Sequence, residues 1–313
     1  MKFCIRSQYL ENAYSETIGA EQFNLIKRSR QVLMAALEIE QLFDNLISNY
    51  LEVERRCLGL TANRLARRSV GYRENSEDFA SINLAFVNYL TTAKAYVDQI
   101  GSKTSRCFHG SEAHTAKETV KSSLAAQYDA AFEYRFMEAL RNHVQHSGSA
   151  LHMLQQGSLR TGDVASKSCE SFLEPLCEKR NLAEDEKFKA AVLIETPDVI
   201  NLLESTRGHV RGLSQAHHSI RDSISEAVSA AAAHIKAGQE LLRGKITGSL
   251  DATKAISITH DGEVAEAVPM LLKWEEVRTW LAQRNSGLPD REDYYPSGRV
   301  VAIENAPWNG HGD

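Results

Sequence analysis

Apolar residues recur at helical spacing over residues 20–58: Phe23, Ile26, Val32, Leu33, Leu37, Leu42, Leu46, Ile47 and Leu51. That period predicts one long amphipathic helix, with Gly59 as its stop. A second helix is expected over 77–100, from Phe79, Ile82, Phe86, Leu90, Ala93, Val97 and Ile100, ending at Gly101 and Ser102. Two more are expected over 115–129 and 130–147. Residues 149–160 have a less clean pattern, with Gly157 and Gly162 in and after it, and predict extended structure or a short hairpin. Pro175 and Pro197 bracket a shorter helix at 184–194, and Pro197-Asp198 opens a long one that runs to about Arg243. Its alanine-rich body has high helix propensity. KAISITH (254–260) predicts a strand, and residues 269–284 a helix with Pro269 at its first position. From Ser286 onward periodicity is lost, so a loosely packed tail is expected.

The expected fold is therefore mostly α: an antiparallel helical bundle with a small mixed α/β element at the C-terminus. The expected organisation is a bundle over 1–165, further helices over 166–250 packing on it, and a strand–helix element with tail over 251–313. Six prolines and 7% aromatic residues agree with helices rather than many short strands. The net charge of -5 excludes a surface basic throughout. Five scattered cysteines without a CxxC point to reduced thiols rather than a disulfide framework or zinc ribbon. The N-terminus has no apolar core of a signal peptide, and no run is long enough to span a bilayer. A cytoplasmic protein with no membrane partner is expected.

Charge changes the picture at residues 130–147. Phe132, Phe136, Leu140 and Val144 recur every four residues with Met137 beside them, a stripe for burial. Arg135, Glu138, Asn142 and His146 fall on another face. Arg141 lies between the two, within pairing reach of Glu138. The segment ends Arg141-Asn142-His143-Val144-Gln145-His146, just before a glycine suited to capping. Asn142 and His146, four apart, share a face, so an amide can hold the imidazole in one tautomer. Arg141 and His146 are rotated by roughly 140° and meet only if the arginine snorkels and the histidine leans off the helix end.

This hexapeptide resembles the ribonuclease motif of the HEPN superfamily: Arg, then Asn, Asp or His, a short spacer, then His. The resemblance is specific over about sixteen residues and extends more generally to bundle architecture over 20–150 and the helix near 198–243. It implies a metal-independent endoribonuclease without cofactor, of the toxin–antitoxin or phage-defence type, acting as a homodimer with an antitoxin or activator as a possible further partner. Arg141, Asn142 and His146 would be its catalytic residues, with His143, Glu138 and Arg135 as secondary candidates. Arg211 also precedes His217 and His218 at a compatible spacing, but a glycine follows it.

The chemistry such residues can perform follows from their groups. RNA is cleaved when its 2′-OH attacks the adjacent phosphorus. His146 can serve as general base or acid, and Arg141 offers a planar fork of donors to the phosphorane. A two-fold dimer would supply a second His146 to divide the two roles. The structural alternative is that basic side chains in a last turn simply complement the helix dipole, leaving a non-catalytic scaffold that binds a protein partner or nucleotide.

Residues 55–73 hold six arginines and no acid, so Arg64, Arg67, Arg68 and Arg73 are candidate RNA contacts, with Tyr72 able to stack a base. They could equally pair with Glu52, Glu54 and Glu74. His143, His146 and His152 have a conceivable metal spacing, but no carboxylate or cysteine completes it. His217 and His218 read as surface or helix-pairing residues, Trp274 and Trp280 as packing. Walker, dinucleotide and nucleophile-elbow patterns are lacking.

Overall fold

A computed structural model of the chain describes residues 1–7, 14–66, 71–146, 148–160, 169–246 and 249–287. Strands β1 (Lys2–Ser7) and β2 (Ser15–Ile18) precede the helices α1 (Ala20–Ala66), α2 (Tyr72–Ser105), α3 (Ser111–Ala130) and α4 (Phe132–His146). Then come β3 (Met153–Arg160), β4 (Cys169–Glu178), α5 (Lys179–Ala183), α6 (Ala190–Glu195), β5 (Val199–Asn201) and α7 (Leu202–Glu240). Strands β6 (Thr253–Ile258) and β7 (Val264–Pro269) and helix α8 (Lys273–Arg284) complete the described elements. The chain is mostly helical, with small antiparallel sheets, as its periodicity leads one to expect. The tail beyond 287 lies outside the described residues.

Several boundaries differ from expectation, each for a physical reason. Gly59 and Gly101 do not end their helices. A helical glycine costs only about 1 kcal/mol against alanine, and buried residues beyond each, Thr61 after Gly59 and Thr104 after Gly101, keep the helix packed. Of the helix expected over 184–194 only the later part forms, as α6; a turn at Asp185 separates it from α5, which ends before the expected start. Residues 199–201 pair with β4 rather than opening a helix, and the Asn201 side chain then accepts from Leu203 N (3.0 Å), capping α7. Pro269 closes β7, opposite Lys254, and α8 begins four residues later.

The described residues fall into two compact units drawn from non-consecutive stretches, one within 1–47, 93–130 and 211–287, the other within 48–92 and 131–210. In the first unit the sheet order is β2-β1-β6-β7, all antiparallel. Strand β1, with its buried Cys4 and Ile5, lies between β2 and β6. Ser29–His234 and Glu40–Arg221 contacts set α1 antiparallel to α7 there. Glu40 is 1% exposed and accepts two bonds from Arg221 (2.8 and 2.7 Å). His217, fully buried, stacks on Phe43 with ring centroids 3.9 Å apart. A Tyr96 O–H donated to its Nδ1 (3.0 Å) leaves Nε2–H directed at Glu40 (3.4 Å). His217 is thus a buried residue that pairs α7 with α1 and α2, the helix-pairing alternative rather than the surface one. Trp280 is the converse: it is half exposed, whereas Trp274 stacks under Arg30 at 3.6 Å.

The second unit repeats this chemistry. Glu54 accepts two bonds from Arg207 (2.7 and 2.9 Å) and one from Tyr50 (3.2 Å). Tyr89 O–H bonds His209 Nδ1 (2.9 Å), and Tyr134 stands edge-on to that imidazole. Its sheet has the order β3-β4-β5, antiparallel, with Met153 opposite Leu176. Gly208 lets α7 approach α4 closely: a Cβ there would fall 2.7 Å from Glu133 Cγ.

The buried histidines give the fold a directional response to acid. Burial pulls His209 down to about 3, and burial, partly offset by Glu40, pulls His217 down to about 4, against an ordinary 6.5. Both stay neutral in the folded protein while the unfolded chain takes up protons below pH 6.5. Stability should therefore fall as pH drops from 6.5 towards 4, by roughly 1.4 kcal/mol per pH unit for each histidine. The Glu40 carboxylate, held down at about 2 by Arg221 and His217 against its own desolvation, adds a loss in the same direction below pH 4.5. Urea titrations between pH 7 and pH 5 measure the first stage; an unchanged midpoint over that range would contradict it.

Candidate functional site

Helix α4 is amphipathic, but its buried face is wider than the four-residue stripe suggests. Tyr134, Phe136, Met137, Ala139, Leu140 and His143 are buried, while Phe132 and Val144 are only partly so. His143 therefore belongs to the interior. Its Nδ1 lies 2.7 Å from Asp185 Oδ2, in a pair with side chains 6% and 7% exposed. Phe188 and His152 present ring edges to it, both with centroids 6.2 Å away.

The motif residues on either side of His143 remain at the surface. Asn142 and His146 are exposed and Arg141 is half-buried. Arg141 Nη1 donates to Asn142 Oδ1 (2.9 Å), and Arg141 Nε has no acceptor among the described residues. No carboxylate pairs with Arg141 there, so the expected Glu138 partnership is not formed. Gly148 N donates to the His143 carbonyl (3.3 Å) and closes the helix. The result is a half-buried guanidinium with one donor on Asn142 and no carboxylate partner among the described residues, and an exposed imidazole, on the last turn and a half of one helix.

The other candidates are engaged structurally. Arg135 pairs with Glu195 of α6 (2.7 Å), tying α4 to that helix. Glu138 is half-buried. Arg64, 14% exposed, bonds Asp78 (2.5 Å) and Asn75 (3.0 Å), joining the last turn of α1 to the start of α2. Arg73 is exposed but reaches Glu77 (3.1 Å), and Arg56 reaches Glu52 (2.7 Å). Glu54, a proposed partner for this cluster, is taken by Arg207. Arg67 and Arg68 lie outside the described residues. Tyr72 is 93% exposed at the first turn of α2. The arginine run is thus largely neutralised by local carboxylates where it is described.

No group of three histidine, cysteine or acidic side chains among the described residues is placed to hold a metal. His143 is committed to Asp185, and His152 Nδ1 accepts from Glu178 N (3.0 Å). Cys177 Sγ sits 3.4 Å from the same nitrogen, a pairing that could suggest a thiolate nucleophile. Burial pushes that thiol up to about 12 and, foremost, lowers His152, so neither carries the charge such chemistry needs. Among the described residues no disulfide forms, and Cys4, Cys57, Cys107 and Cys177 are buried free thiols. A cavity of about 710 Å³ lies in the first unit, lined by Arg28, Val32, Phe108, Glu112, Ala230 and His234 among others. It holds none of the motif residues. No helix among the described residues is long and apolar enough to cross a membrane.

Asp185 is the residue that sequence reasoning missed. It has no motif of its own, and the period placed it inside a helix rather than in the turn between two. No protein-family model matches the chain, and neither a curated protein nor a solved structure is similar to it.

Proposed function

We propose that the protein is a metal-independent, HEPN-like endoribonuclease, active as a homodimer and belonging to a defence or toxin–antitoxin type of system. The reading is carried by one observation: Arg141, Asn142 and His146 occupy the accessible end of α4, and no carboxylate among the described residues neutralises the arginine. His146 exchanges the proton of the 2′-OH or of the departing 5′ oxygen. Arg141 turns its free donors to the non-bridging oxygens as charge builds on phosphorus. Asn142, bonded to Arg141, orients that guanidinium. The ring-closing attack breaks the P–O5′ bond and leaves a 2′,3′-cyclic phosphate on one fragment and a 5′-hydroxyl on the other.

Two imidazoles divide acid and base work better than one, and a two-fold pair of α4 ends supplies them. Sedimentation should therefore give twice the chain mass. Incubating the full chain with RNA in EDTA tests the whole reading. Fragments ending in cyclic phosphate are expected, and intact RNA under conditions where a control ribonuclease cuts would leave the scaffold alternative.

A further inference from the structure

We infer that Asp185 is a positioning residue for α4: through its buried 2.7 Å contact with His143 it fixes the rotation of the helix end that presents Arg141, Asn142 and His146. The claim that this geometry matters for cleavage rests on the nuclease reading; the claim that Asp185 locks the helix end does not.

The imidazole of His143 is held on every side. Nδ1 faces the Asp185 carboxylate, and Phe188 and His152 flank the ring. Nε2 lies beneath Gly148, where a Cβ would come within 2.7 Å of it. Gly148 N also bonds the His143 carbonyl, so the chain leaving α4 folds back over the ring it caps. Asp185 is itself immobilised. Its second oxygen accepts from Lys187 N (3.0 Å), and its backbone N–H and carbonyl bond Leu182 O (3.2 Å) and Phe188 N (2.9 Å).

His143 is two residues from Arg141, next to Asn142 and three from His146. On a helix those offsets fix the azimuth of all three once His143 is fixed. A last turn is otherwise the part of a helix that frays. Arg135–Glu195 pins the same helix two turns earlier, so α4 has a clamp near each end, both supplied by the 179–195 segment. Displacement of a catalytic group by about 1 Å costs on the order of 100-fold in rate, so a bolt at this place has a large lever.

The test uses the full chain with Asp185→Ala, Asp185→Asn and Asp185→Ser. Asparagine keeps a neutral acceptor for His143 Nδ1–H. Serine keeps the bond from Lys187 N but is too short to reach His143, and serves if the alanine protein does not fold. Cleavage of a labelled single-stranded RNA should fall by on the order of 10–100-fold in kcat for alanine and serine, with KM within about 2-fold and much of the rate retained by asparagine. Amide exchange at 143–146 should quicken at least ~10-fold in the same two variants, while that of α2 is unchanged. Unaltered exchange at the α4 end overturns the inference. Wild-type protein that does not cut RNA, with exchange responding as described, removes the nuclease reading and leaves the lock standing. Cleavage by wild type, with Asp185→Ser equally active, removes the positioning role and leaves the nuclease.

Discussion

His146→Ala should cut RNA about 10³-fold more slowly than wild type while its melting temperature and helical content stay the same. A positioned general acid or base contributes typically 10²–10⁴ in rate, which sets the size. The stability side follows from exposure: His146 is open to solvent at a helix end, and such surface changes fall within about ±0.5 kcal/mol. The combination is diagnostic, since a histidine serving only the helix dipole would move stability slightly and the rate not at all. Arg141→Lys sharpens the result. Lysine keeps the charge and the dipole interaction but loses the planar fork and the geometry that lets Asn142 steer it. A rate for Arg141→Lys close to Arg141→Ala supports recognition of the phosphorane by two directed donors. Wild-type activity in His146→Ala sinks the assignment.

Glu40→Ala should produce the largest change in stability, about 3–5 kcal/mol, lowering the melting temperature by on the order of 10 °C. The carboxylate is 1% exposed, and its loss strands Arg221, 15% exposed, without its bidentate partner. It also removes the acceptor facing His217. Glu52→Ala is the matched control. Glu52 pairs with Arg56 at the same 2.7 Å, but both side chains are nearly half exposed, so the expected cost is within 1 kcal/mol. Equal melting temperatures for the two variants would show that burial does not set the value of these pairs. Replacing both Glu40 and Arg221 by leucine should recover most of the loss, because the penalty lies in the uncompensated charge.

The four long helices were legible because their apolar period is sustained for many turns, and local contacts suffice to satisfy it. Strand β1 was not. KFCIRS sets three consecutive apolar residues between two charges, too short a run to show a period, and its partners β2 and β6 lie about ten and 250 residues away. Glycine at 59 and 101 misled because a stop signal worth about 1 kcal/mol yields to packing on both sides of it. The candidate site was half legible. The spacing of Arg141, Asn142 and His146 was plain, and so was the separate face of His146; His143, one heptad after Phe136, shares the buried face that the four-residue stripe left too narrow. The partner of His143 was not legible, because Asp185 is placed by a turn between two short helices.

Helix α3 carries a practical consequence. Twenty residues long, it buries Val120 alone, so the water-exposed backbone around it is restrained by little besides its own hydrogen bonds. Such a stretch is the natural place for a protease to nick the chain first, and for a fluorophore or peptide tag to be threaded in without loss of the core. It offers a handle on the molecule on a helix separate from the one that carries Arg141, Asn142 and His146.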